Sequence, residues 1–225
     1  MNKQTGIYVP ARLSSQRLPN KQILPLGNSC MFDICCQKLD KIKQEYNINT
    51  YALVYEKELL DIAKKYPNVI TIQRDEETAK AEGPLVYIFK DILDVEDTHL
   101  MFLNPCLSFL SIDTIVNNVK KFNESDADYA TSVKNFQNWL LQKDGQMITD
   151  INYQRLTTKE IEPLYQTAHC FHIFNKEQFK QDGYMLKNGF LPLEVPQEET
   201  IDIDTPDEYE YAFWKWEKKK NEICG

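Results

Sequence analysis

Residues 6–27, Gly6-Ile7-Tyr8-Val9-Pro10-Ala11-Arg12-Leu13-Ser14-Ser15-Gln16-Arg17-Leu18-Pro19-Asn20-Lys21-Gln22-Ile23-Leu24-Pro25-Leu26-Gly27, decide how the rest of the chain is read. Ile7 to Val9 is a short apolar run of the kind a buried strand shows, and it stops at Pro10, which has no N–H for a central ladder. Arg12, Arg17 and Lys21 follow within ten residues, separated by the hydroxyls of Ser14 and Ser15. Pro19 interrupts any helix there, so the three cations are expected on a loop at the end of a strand. In an α/β sheet that position is the ligand crevice. Arginine offers bidentate forks to phosphate oxygens and lysine a mobile point charge, so such a loop suits a polyphosphate. The segment is neither Gly-x-x-x-x-Gly-Lys-Ser/Thr nor Gly-x-Gly-x-x-Gly. Taken alone, a solvated basic loop fits it equally well.

Outward from this stretch, Met31, Phe32, Ile34, Cys35, Leu39 and Ile42 recur at helical spacing and predict an amphipathic helix over 31–46. Residues 51–55 read as a second strand, 58–66 as a helix ending before Pro67, and 69–73 as a third strand. Strand, helix, strand, helix, strand is the order of a parallel α/β sheet. Residues 74–83 are expected as a polar loop, and 84–93 as a helix with Pro84 in its tolerated first turn. His99 to Leu103 is the continuous apolar run of a central parallel strand, ended at the crevice by Asn104-Pro105. Ser111 is expected to cap a helix running to Phe122, and a strand follows over 129–134.

Residues 138–153, turning at Asp144-Gly145, read as an antiparallel ribbon, and 154–165 as a polar segment that leaves the core toward a partner subunit. A strand is expected over 170–174, a helical turn over 176–182 and a short strand over 193–195. The chain closes with an amphipathic helix over 207–220. Tyr209, Tyr211, Ala212, Phe213 and Trp216 are expected to face inward, and Lys218–Lys220 to lie at its C-terminal end. The fold expected is α/β: a Rossmann-like, mostly parallel sheet flanked by helices, one domain over 1–225, with a small antiparallel excursion at 136–170.

A second constellation precedes the last helix. Asp202 and Asp204 are two residues apart, so in an extended segment both carboxylates point the same way. Magnesium takes one or two protein carboxylates and completes its octahedron with phosphate oxygens and water. Thr205 is placed to be the N-cap, Pro206 the first helical residue and Glu208 the partner in a capping box. On their own, the two aspartates also fit a purely structural loop-and-cap role.

The formal net charge of −8 argues against nucleic acid as the main partner, which needs a basic face. No apolar run reaches membrane-span length and the first residues lack a signal-peptide pattern, so no membrane association and a cytoplasmic location are expected. The six cysteines form no Cys-x-x-Cys pair and are expected as buried thiols acting as small hydrophobes. His169 and His172 flank Cys170 on an expected strand and are read as structural, not as zinc ligands.

Pro-Ala-Arg-x-x-Ser-x-Arg-Leu-Pro-x-Lys over 10–21, followed by Leu-Pro-Leu-Gly over 24–27, resembles the N-terminal signature of the sugar cytidylyltransferases, the acylneuraminate (CMP-sialic acid) and CMP-Kdo synthetases. Asp-Ile-Asp-Thr-Pro over 202–206 is similar to the C-terminal metal-binding signature of the sialate-type branch, in the family's order. The resemblance implies a fold of the nucleotide-diphospho-sugar transferase type. It also implies transfer of CMP from CTP to an acidic, nonulosonate-like sugar or another surface-polysaccharide precursor, with release of pyrophosphate. Arg12, Lys21 and Asp204 would be the catalytic set. Pro10, Ala11, Ser14, Ser15, Arg17, Gln22, Pro84 and Asn104 would join Arg12 and Lys21 around the nucleotide, and Asp202 and Asp204 would hold Mg²⁺.

Three stretches depart from the family pattern. Glu82-Gly83-Pro84-Leu85 lacks the serine of the base-contacting turn, and Asn104-Pro105-Cys106-Leu107-Ser108-Phe109-Leu110 replaces Gln-Pro-Thr-Ser-Pro-Leu-Arg. Ala168-His169 stands where the family has Asn-Gly. Asn104, Arg155, Tyr165, Gln166 and His169 are the candidate acceptor contacts, and the resemblance implies a homodimer. Two other readings stay open: a nucleotidyltransferase acting on a phosphorylated acceptor, and a nucleotide-binding relative without turnover.

Overall fold

Strands as apolar as Ile7–Val9 and Leu100–Leu103 must be covered on both faces, and the chain supplies helices between them. The structure, a computed structural model, describes residues 3–79, 90–150, 154 and 157–224, with side chains up to residue 218. The first strand, β1 (Thr5–Pro10), leads through the basic loop to a small antiparallel hairpin, β2 (Pro25–Leu26) and β3 (Ser29–Cys30). Next come α1 (Met31–Tyr46), β4 (Thr50–Val54), α2 (Lys57–Ala63), β5 (Ile70–Gln73) and the short α3 (Glu76–Ala79). The second half contributes β6 (His99–Leu103), α4 (Ile112–Glu124), β7 (Tyr129–Phe136), β8 (Leu164–Asn175), α5 (Lys176–Asp182), β9 (Leu191–Glu194) and α6 (Pro206–Cys224).

Seven of these strands form one sheet in the order β5-β4-β1-β6-β8-β7-β9. Its neighbours run parallel except where β8 lies antiparallel to β6 and β7. The chain builds outward from β1 through β4 and β5, then returns to place β6 on the other side of β1. That reversal is the topological switch point at which α/β sheets bind ligands. Alternation along β1 sends Ile7 and Val9 to one face, with Phe32, Leu39 and Ile42 of α1, and Tyr8 to the other, with Leu53, Leu100 and Phe174.

The expected α/β architecture is present, and α1 has the bounds its periodicity predicts. It ends at Asn47, left-handed at φ 54°, whose N–H returns to the Lys43 carbonyl. Ser111 caps α4 by accepting the Thr114 N–H. Several local expectations are corrected. Glu76–Ala79 is a helical turn inside the segment read as polar loop, closed by the Ala79 N–H on the Asp75 carbonyl. Of the helix expected over 84–93, residues 84–89 lie outside the described residues, and Lys90–Ile92 is a 3₁₀ turn.

The ribbon expected over 138–153 reduces, among the described residues, to one bridge between Leu141 and Met147 around the turn at Asp144-Gly145. An isolated two-stranded ribbon buries too little to hold a longer ladder. The strand expected from Cys170 begins six residues earlier, at Leu164. A bulge hides its period, because Thr131 pairs with His172 and Val133 with Thr167, leaving Ser132 opposite four residues. The Ser132 hydroxyl accepts the N–H groups of Cys170 (2.9 Å) and Phe171 (3.1 Å) that the bulge releases.

Tyr211 and Phe213 of α6 are exposed, whereas Ala212 is buried and Tyr209 and Trp216 are half-buried. Residues 209, 212 and 216 share one helical stripe, and 211 and 213 lie about a hundred degrees to either side of the buried Ala212. The helix also continues to Cys224, so the lysine run lies a turn short of its end. Its seat is fixed by Gly27 (φ 63°), where a Cβ would come within 2.1 Å of Trp216 Nε1.

Candidate active site

β1 and β6 end side by side, and the loops that leave them meet at the same sheet edge. After β1 the Ala11 N–H bonds the Leu53 carbonyl (3.0 Å), and the Glu56 carboxylate ahead of α2 accepts the Leu13 N–H (2.7 Å). The Asn20 N–H returns to the Leu13 carbonyl (3.2 Å), so residues 14–19 form a closed arch. Asn20 is left-handed (φ 57°) and leads into a 3₁₀ turn, Lys21–Ile23. Within the arch Ser14 and Arg17 are exposed, Arg12 and Ser15 half-buried and Ala11 buried.

The far end of the chain closes over this loop. Lys21 Nζ donates to the Ile203 carbonyl (3.2 Å) and to Asp204 Oδ1, and Arg17 Nη2 donates to Asp204 Oδ2 (2.6 Å). Burial opposes ionisation of Asp204, but the hydrogen bonds and charges of Lys21 and Arg17 hold its carboxyl below the ordinary range. Asp202 moves the other way, pushed up by burial and then by the negative charge of Asp204. Asn104 Nδ2 donates to Asp202 Oδ2 (3.4 Å) and to the His169 carbonyl (3.2 Å), and Asn104 Oδ1 accepts the Cys106 N–H (3.0 Å). Asp202 Oδ1 is buried with no hydrogen-bond partner among the described residues. An orphaned carboxylate oxygen beside a second carboxylate fits a divalent cation, which needs oxygen ligands and offsets the charge of both.

The expected capping box is formed: Glu208 Oε2 accepts the N–H groups of Thr205 (2.8 Å) and Asp204 (2.9 Å), and Thr205 Oγ1 accepts the Glu208 N–H (3.4 Å). The cap of α6 therefore also fixes the backbone of Asp204.

The structure brings together Lys21, Arg17, Asn104, Asp202 and Asp204 from the expected set. Gln22 is turned inward, 2% exposed, with its amide on the Cys106 sulfur (3.4 Å), so its side chain supports the floor of the crevice and does not face into it. Tyr165 and Gln166 are exposed on β8, and Tyr165 donates to Glu194 of β9. His169 sits in the bulge at φ 52°, a conformation that favours glycine. Pro84 and Arg155 lie outside the described residues.

Two residues at this edge escape a reading of spacing alone. Arg74, at the end of β5, is 4% exposed and its Nε has no partner among the described residues. Burial depresses its pKa, with Asp91 opposing and the like charge of Arg12 adding to the fall. The available signal is a cation directly after a strand. Cys106 is expected from its sequence as a small hydrophobe, yet its sulfur and oxygens of Asp202 and Asp204 all lie within 4.8 Å of one another. Its position just beyond the strand end is the signal there.

The profile of the cytidylyltransferase family matches residues 7–213. The chain belongs to that family and is a nucleotidyltransferase, as the motifs at its two ends imply. No curated protein matches it in sequence. Among solved structures, a CMP:2-keto-3-deoxy-manno-octonic acid synthetase complexed with CTP is similar at a TM-score of 0.67 and 12% identity, covering 96% of this chain and 100% of that one. The 4-diphosphocytidyl-2C-methyl-D-erythritol synthase of Anaerococcus prevotii gives 0.66 and 11%, covering 96% and 97%. A cytidylyltransferase of Leptospira borgpetersenii gives 0.60 and 16%, covering 94% and 85%. At these identities the likeness establishes the shared fold. No helix among the described residues is long and apolar enough to cross a membrane.

Proposed function

We propose that this protein transfers CMP from CTP to a hydroxyl of an acidic, nonulosonate-like sugar, releasing pyrophosphate with the help of Mg²⁺. The observation that carries the reading is the convergence of Lys21 and Arg17 with Asp202 and Asp204 at the ends of β1 and β6. In the resting site the two cations neutralise Asp204; with nucleotide bound, Arg12, Arg17 and Lys21 turn to the triphosphate and Asp202 and Asp204 hold the metal. The bound ion supplies charge neutralisation at the phosphates and a fixed orientation for them. Ser14, Ser15 and the arch amides hold phosphate oxygens, and Asn104 fixes Asp202 while presenting its edge to the acceptor. The acceptor oxygen bonds to the α-phosphorus, its proton passes to solvent, and pyrophosphate leaves with the electrons of the broken P–O bond. Positioning and charge stabilisation are what such a transfer asks of a protein.

The acidic acceptor is supported by a cleft beside β8, lined by Lys121, Lys134, Asn135, Glu194 and Gln197. Lys134 is paired in register with Gln166, and Asn135 with Tyr165, so one of the two cleft lysines lies on the strand next to the segment proposed to hold the acceptor. The whole chain acts as one catalytic unit, with 136–170 forming the acceptor-side and dimer excursion. Pyrophosphate release, measured with CTP, UTP, ATP and GTP against acidic nonulosonates, Kdo and phosphorylated acceptors, tests this. Release with CTP and one acidic sugar only is expected; release only with a phosphorylated acceptor replaces the substrate assignment. Asp204→Ala is expected to cut Mg²⁺-dependent release by about 10²–10³-fold, as when a charge-stabilising group is removed, while the fold persists. Full activity in that variant removes the metal assignment.

A further inference from the structure

Resting on the metal assignment just made, we propose that Cys106 is a third ligand to the same divalent cation. Its sulfur makes the site take thiophilic ions of the zinc and cadmium class ahead of magnesium. Four observations carry this. The Cys106 sulfur and oxygens of Asp202 and Asp204 lie within 4.8 Å of one another, a spread that a small inward shift closes around one ion. Cys106 is 6% exposed, so the thiol is enclosed in the site and not displayed on the surface. It is held on two sides: its N–H bonds Asn104 Oδ1 (3.0 Å), the same asparagine that donates to Asp202, and the buried Gln22 amide donates to its sulfur (3.4 Å). Finally, Asp202 Oδ1 is buried with no hydrogen-bond partner among the described residues.

Lys21 marks where positive charge is favoured, since its ammonium bonds Asp204 and also reaches the Cys106 thiol. A metal ion entering the site displaces that ammonium and inherits the two carboxylates and the sulfur. Carboxylates and water suit magnesium, whereas thiolate is soft and selects zinc-like ions. On binding, the thiol gives its proton to solvent and the sulfur lone pair forms the metal–sulfur bond, with no change of oxidation state.

Cadmium is the probe, because a cadmium–thiolate bond produces an ultraviolet charge-transfer band. Titrated into the full chain without nucleotide, Cd²⁺ is expected to raise this band to a one-equivalent end point. In Cys106→Ser the band is absent, and Cd²⁺ affinity by calorimetry falls at least about tenfold, the loss typical of weakening a metal's ligand environment. Mg²⁺ affinity falls by less than Cd²⁺ affinity in that variant, because a thiolate suits the softer ion. Cys35→Ser keeps the band, and Asp204→Asn weakens the affinity it reports. Cys106→Ala serves if the serine variant does not fold. A band that survives removal of Cys106, or an unchanged Cd²⁺ affinity, overturns the proposal. A band without pyrophosphate release in any assay rejects the enzymatic reading and leaves the ligand set standing; release without a band does the reverse.

Discussion

Asp202 and Asp204 are separated by one residue and titrate in opposite directions, because one is bonded by two cations and the other is buried beside its neighbour's charge. At His172 and His99 burial is the largest cause. Burial, and then His169, pushes His172 down to about 4 from an ordinary value of 6.5, and burial with Lys3 nearby does the same to His99. A folded-state pKa below the unfolded one means that the unfolded chain takes up the proton first. The stability contributed by neutral His172 is therefore complete above about pH 6.5 and drains away as pH falls toward 4, on the order of 3 kcal/mol in all. Urea unfolding at about pH 7.5 and about pH 5 is expected to show about 2 kcal/mol of that loss, and His172→Gln is expected to reduce the difference. An equal pH dependence in the variant contradicts it. Arg17, Lys21, Asp202 and Asp204, which the structure brings together, were legible as candidates because each stands in a motif of local spacing. Cys106 and Arg74 were not, since neither burial nor proximity across the chain is encoded in the residues beside them.

Element boundaries show where local physics is enough and where it fails. α1 and the capping box of α6 follow from periodicity and from Thr205 and Glu208, and both stand as read. β8 could not be read, because a bulge breaks its alternation and the serine that repairs it sits on another strand. The cap matters beyond its helix, since one Glu208 oxygen accepts the N–H groups of both Asp204 and Thr205. Glu208→Ala is expected to cost about 1 kcal/mol, the usual loss for a cap, seen as a lower urea midpoint. It is also expected to weaken divalent-cation affinity severalfold by freeing the Asp204 backbone. Glu208→Gln keeps the acceptor and restores both. A stability loss with unchanged metal affinity separates the cap from the site.

At the scale of the whole molecule, the sheet places both end motifs at one switch point, and the excursion proposed over 136–170 leads from β7 into β8. Its turn displays Leu141 and Ile148, each 57% exposed, and β8 displays Leu164 and Tyr165. The proposed homodimer would bury these side chains, and a stable dimer needs about 800 Å² from each partner. The proposed homodimer therefore predicts that the chain sediments at twice its 26.4 kDa mass. Leu141 and Ile148 flank a turn closed by the Gly145 N–H on the Gln142 carbonyl, with no part in the core, so charging them leaves the sheet intact. Leu141→Asp with Ile148→Asp is expected to give a folded monomer with an unchanged melting temperature. Because the excursion also carries Tyr165 and Gln166, the monomer should bind CTP as before and show a KM for the acceptor raised about tenfold or more, the cost of losing a single anchored contact. A wild-type monomer, or a dimer that survives both charges, moves the interface elsewhere. A monomer with an unchanged acceptor KM instead makes each subunit's acceptor site complete on its own.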